Sequence, residues 1–169
     1  RAASSASNQW DRLGKSAVFE MDGVRIGVLG LASVETATLH WPNAIKDIVV
    51  KDPIQTAGEM VPRLKESSDV VIVLSHLGDT QDRLLAESVP GIDFIVGGHT
   101  HTTITEWRWV GNTLITQAGA FGRALGRIDF IVRCEDSRRE IVSVNGRNED
   151  WSTMEHPPLD AKYPSSPLI

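Results

Sequence analysis

Cysteine is nearly absent. Cys134 is the only one in 169 residues, so no disulfide can close within the chain and the redox compartment stays open. No apolar run approaches the roughly 20 residues that cross a bilayer as a helix, so no transmembrane segment is expected. Positive charge is in deficit, with 17 basic against 22 acidic residues and a formal net charge of -5. That balance argues against binding a nucleic acid polymer. Gly27 and Gly30 invite a dinucleotide reading, but the Gly-x-Gly-x-x-Gly pattern is missing. The opening Arg1–Ser7 lacks the apolar core of a signal peptide and reads as a processed or truncated beginning, or as a linker. Histidine is scarce too, found only at 40, 76, 99, 101 and 156.

What is present is an ordinary soluble composition, 41% hydrophobic and 23% charged, in a length that suits one domain. Its most informative stretch is Ile92-Asp93-Phe94-Ile95-Val96-Gly97-Gly98-His99-Thr100-His101. A short, partly β-branched run bounded by glycine reads as a buried strand. His99 and His101 follow it, at the carboxyl end of a strand, where open α/β sheets place their ligand sites. In extended geometry residues i and i+2 share a side, so two imidazoles could face one metal or two adjacent ones. The plainer alternative is a pair of surface histidines on a turn.

Residues 1–16 read as a flexible arm. Ala17–Glu20 and Val24–Leu31 form a hairpin around Asp22-Gly23. Residues 33–52 read as a long loop. Asp52-Pro53 then opens a helix, with apolar residues recurring at helical spacing to about Lys65 and Pro62 inside it. Asp69–His76 is a second buried strand ending in histidine, and a helix capped by Asp79 or Thr80 runs from there to Pro90-Gly91. A right-handed crossover between two parallel strands brings His76 to the edge that holds His99 and His101. Two hairpins complete the fold, Glu106–Val110 with Thr113–Gln117, and Leu125–Val132 with Glu140–Val144. Residues 148–169 read as an extended, proline-rich tail.

Three converging histidines can hold zinc or a similar ion. A two-metal phosphoester site also needs bridging carboxylates. Asp79 and Asp82 lie near this edge but read as helix N-cap or solvated first-turn residues. His40, in the loop after the first long strand, is a further candidate near substrate or metal. His156 reads as exposed and Cys134 as structural.

Gly97–His101, Leu74–Gly78, Gly23–Gly30 and Gln117–Gly126, in this order, together resemble the calcineurin-like metallophosphoesterases. The nearest likeness is to the 5′-nucleotidase branch, and it covers about residues 17 to 147. The resemblance implies an α/β (mixed α+β) fold, half of a four-layer α/β/β/α metallophosphoesterase sandwich. It also implies a two-metal site holding zinc, manganese, iron or magnesium, a small phosphate-ester substrate such as a nucleotide, and a periplasmic or extracellular location. By motif, His76 and His99 resemble ligands of one metal and His101 a ligand of the other. The family pattern further requires Asp-x-His, Gly-Asp-x-x-Asp and Gly-Asn-His-Glu or -Asp. No Asp-x-His or Asn-His occurs here, and Gly78–Asp82 spells the second motif in the wrong place. Residues 17–147 therefore read as the C-terminal half of a metallophosphoesterase domain. The expected partner is the missing N-terminal half or another protein chain. Two alternatives stand beside the enzyme: a non-catalytic structural or docking subunit, and a mononuclear metal-binding module.

Overall fold

A computed structural model describes residues 14–35, 49–106, 108–135 and 138–150. The expectations for His40, His156, most of the opening arm and residues 151–169 lie outside the described residues. The order is β1 (Ser16–Met21), β2 (Val24–Ala32), α1 (Pro53–Ser67), β3 (Val70–His76), α2 (Asp79–Ser88), β4 (Phe94–Val96), β5 (Arg108–Val110), β6 (Thr113–Thr116), β7 (Ala124–Glu135) and β8 (Arg138–Asp150). Strand β8 runs through Asn148 to Asp150, past the point where the sequence reads as tail.

The hairpin β1–β2 forms as expected, with Met21 opposite Val24. Asp22 and Gly23 both have left-handed φ, 52° and 76°, as a two-residue I′ turn requires. Asp52 caps α1, its side chain accepting from the Gln55 amide at 2.7 Å, and Pro53 occupies the first turn. Helix α2 differs from expectation. Its N-cap is Gly78, at φ 92°, and no side chain among the described residues caps it; a cap with that φ disfavours Asp or Thr on steric grounds.

Six strands form one sheet in the order β1-β2-β3-β4-β6-β5. β2, β3, β4 and β6 are mutually parallel, and β1 and β5 are antiparallel edges. α1 and α2 pack on one face over Leu29, Val61, Leu64, Val73, Leu85 and Ile95. Gly27 allows the close approach, since a Cβ there would lie 2.4 Å from Ser68 Oγ and 3.2 Å from Leu64 Cδ2. The hairpin β7–β8 covers part of the other face, where Phe130 packs on Phe94 with ring centroids 5.1 Å apart. Helices, sheet and hairpin make an α/β/β stack, three of the four layers of an α/β/β/α sandwich. On the hairpin's side of the sheet Phe19, Leu74 and Val96 stay exposed.

Two carboxylates fix the strand offsets at the amino-terminal edge. Asp69, just before β3, accepts from Arg25 of β2 through the backbone amide (2.8 Å), Nε (3.2 Å) and Nη2 (2.8 Å). Asp93, just before β4, accepts from the Val71 amide (2.7 Å) and Lys65 Nζ (2.8 Å). The hydrogen bonds from Arg25 hold the Asp69 carboxyl below its ordinary value, although burial opposes them. Stability from this group is present above the unfolded carboxylate pKa and is lost as pH falls through the lowered folded value. Asp69→Ala should therefore cost about 1–3 kcal/mol at pH 7 in urea denaturation. The gap to wild type should narrow on acidification; a pH-independent gap would contradict this role.

Candidate functional site

The parallel register carries the ends of β2, β3, β4 and β6 to one edge. Ala32 stands opposite His76, Leu74 opposite Val96, and Val96 opposite Thr116. The residues that follow these ends therefore meet. His76 and His99 do so, with ring centroids 5.1 Å apart in an edge-to-face arrangement. Glu35, beyond the end of β2, reaches His99 Nε2 through Oε2 at 3.1 Å. Sequence reading missed Glu35, although the shared edge of β2 and β3 was the available signal.

His101 is not in that contact. Its ring lies edge-on to Phe121, centroids 5.3 Å apart. The expectation of an extended His-x-His facing one way fails because the segment is not extended. His99 and His101 have φ of 76° and 58°. The Thr100 amide donates to Gly98 O at 3.0 Å, closing a γ-turn centred on His99. Non-glycine residues in this region carry on the order of 1–3 kcal/mol of strain each, which the surroundings must over-determine. Among the described residues, no group of three or more His, Cys, Asp or Glu is arranged to hold a metal ion.

The two glycines act by closeness rather than by unusual φ. A Cβ on Gly98 would sit 3.2 Å from His76 Nδ1, so this glycine lets the β3 histidine lie against the loop. A Cβ on Gly97 would come within 2.4 Å of Asp82 Oδ2 and 3.2 Å of Gln117 Nε2. Asp82 is the clearest correction to the sequence reading. It is neither a cap nor solvated but fully buried beneath the Gly97 backbone. Ser75 Oγ donates a hydrogen bond to Asp82 Oδ1, and Oδ2 has no partner among the described residues. Asp79 pairs with Arg108, and its amide donates to Thr100 Oγ1 at 3.3 Å. Cys134 is exposed in β7 rather than packed.

The paired imidazoles fit a borderline divalent metal by donor chemistry, and would supply only part of the ligand set such an ion needs. Relatives extend this reading. The chain is 34% identical over 144 residues to the trifunctional nucleotide phosphoesterase protein YfkN of Bacillus subtilis, matching 79% of this chain and 10% of that protein. It is 33% identical over 124 residues to the 5′-nucleotidase of Diplobatis ommata, matching 73% of this chain and 20% of that one. The fold superposes on the crystal structure of the calcineurin-like phosphoesterase YfkN from Bacillus subtilis with a TM-score of 0.70 at 22% identity, over 84% of this chain and 52% of that one. No family model matches the chain. By sequence and by fold the chain therefore resembles a part of the calcineurin-like metallophosphoesterases of the 5′-nucleotidase family. It spans a tenth to a fifth of the length of the two relatives in sequence.

Burial pushes the Asp82 carboxyl up to about 6, against the Ser75 hydrogen bond and with a small contribution from the charge of Asp79. Because the folded pKa lies above the unfolded one, the carboxyl favours the fold at low pH. That contribution fades as pH rises from about 4 to about 6, by roughly 3 kcal/mol. Asp82→Asn should gain stability relative to wild type by up to that amount between pH 4 and pH 7.5, read by urea denaturation across pH. Parallel pH profiles for the two proteins would contradict it.

Proposed function

We propose that this chain is part of a divalent-metal-dependent phosphoester hydrolase of the 5′-nucleotidase type, acting on a nucleotide or a related phosphate ester. The observation that carries the reading is the contact of His76 and His99 at the carboxyl edge of the parallel sheet, in a chain whose relatives in sequence are a nucleotide phosphoesterase and a 5′-nucleotidase. His76 and His99 would hold a metal of the pair. His101 would take its place on the second ion once released from Phe121. When bound, the ions supply an activated water for attack on phosphorus and offset the charge of the phosphate. The residues of this chain orient that chemistry: Glu35 fixes the His99 ring through Nε2, and Gly98 lets His76 lie against the loop.

The remaining ligands, including a bridging carboxylate, would come from another part of the same domain or from another chain. The exposed Phe19, Leu74 and Val96 give that part an apolar face to cover. A periplasmic or extracellular setting goes with this reading. The described helices include none long and apolar enough to cross a membrane. A second reading, a non-catalytic structural or docking subunit, is favoured by the lack of a three-group metal cluster among the described residues.

Hydrolysis of a nucleoside monophosphate with added Zn²⁺, Mn²⁺ or Mg²⁺ separates the two. The chain alone should show no enzymatic turnover. A longer protein that includes the whole domain should turn over, and His76→Ala or His99→Ala should each lower kcat/KM by about 100-fold or more. Turnover unchanged by both substitutions would overturn the assignment. No turnover by the folded whole domain would favour the structural reading.

A further inference from the structure

The segment 98–102 holds two histidines in left-handed backbone, and the bonds within it, from the Thr100 amide to Gly98 O and from Thr102 Oγ1 to Thr100 Oγ1, do not tie its two ends together. A buried polar side chain lies beside it, Gln117, at 1% exposure, directly after β6. Its amide reaches both ends of the segment. Nε2 donates to Gly98 O at 3.1 Å, and Oε1 accepts from the Thr102 amide at 2.6 Å and from Thr100 Oγ1 at 3.2 Å. Gln117 is itself held, because its backbone carbonyl accepts from the Ile104 amide (2.9 Å) and from Asn148 Nδ2 (3.0 Å).

We propose that Gln117 is a positioning residue for the histidine pair, clamping the residue before His99 to the residue after His101. A primary amide suits the task. One end must donate to a carbonyl while the other accepts from an amide, and the Gln side chain offers both on one planar, uncharged group. Asparagine is a methylene too short to span the same two ends from this position. The anchoring also explains why the γ-turn persists at His99: the clamp fixes Gly98 and Thr102, and the two left-handed histidines lie between them. Gln117 touches no metal or substrate in this scheme and acts through the histidines.

The proposal rests on the metal reading only for one of its two measurements. In the metal-free chain, nuclear Overhauser contacts between the His76 and His99 ring protons report the pairing directly. Gln117→Met conserves volume and removes both ends of the clamp; Gln117→Asn keeps the amide but, a methylene shorter, cannot span both ends. Both should lose the His76–His99 contact while the core signals from α1 and β3 persist, and should Gln117→Met fail to fold, Gln117→Asn carries the test. Co²⁺ titration of the same proteins should show affinity reduced about 10–100-fold, as when a group orienting a ligand is lost. Val61→Ala, a core truncation in α1, controls for stability and should lower the melting temperature while leaving the ring contact and the Co²⁺ affinity unchanged. Retention of the His76–His99 contact in both Gln117 variants overturns the proposal whatever the metal does. Loss of the contact in a chain whose wild type binds no Co²⁺ supports the clamp and counts against the metal reading instead.

Discussion

Parallel strands gain nothing from one another unless their offset is fixed, because a slip of one residue moves every side chain to the opposite face. In this chain two carboxylates at one edge of the sheet fix it. Asp69 ties the start of β3 to Arg25 of β2, and Asp93 ties the start of β4 to the Val71 amide and to Lys65 of α1. These contacts sit at the amino-terminal edge, and their effect is felt at the other edge. With the offsets locked there, Ala32, His76, Gly97 and Gln117 arrive together at the carboxyl ends.

From that edge the site follows by close packing. The crossover through α2 carries Asp82 beneath the strand ends, where it meets Ser75 and the bare backbone of Gly97. Gly98 then admits the His76 ring. The chain turns through two strained histidines, held by the buried amide of Gln117. Glycines supply the room and non-glycines carry the strain. That division concentrates backbone cost where imidazoles are needed, as expected of sites that hold an otherwise unfavourable geometry ready.

Much of the fold was legible in the sequence because its signals are local. Asp22-Gly23 marked a hairpin, Asp52-Pro53 a helix start, and Asp69–His76 and Phe94–Val96 two buried strands; all form there, the first of these strands starting one residue later, at Val70. The meeting of His76 with His99 was legible too, from the handedness of one crossover. What escaped depends on contacts distant in sequence. Nothing near Asp82 announces that α2 turns it inward under Gly97, so a helix-opening acid looked solvated. The bond from Thr100 to Gly98 O and the clamp by Gln117 override the extended geometry that His-x-His suggests, and so His101 turns to Phe121. Glu35 follows a strand end without any motif of its own. Its reach to His99 appears only once β2 and β3 are aligned.

The central claim is that the edge where His76 and His99 meet is the metal-holding edge of a phosphoesterase. Anomalous diffraction tests it most directly: crystals of the domain containing this chain, grown with Zn²⁺ and measured on both sides of the zinc absorption edge. The account predicts an anomalous peak about 2.0–2.1 Å from a ring nitrogen of each of these two histidines. Full zinc occupancy elsewhere, with no peak between His76 and His99, would contradict it.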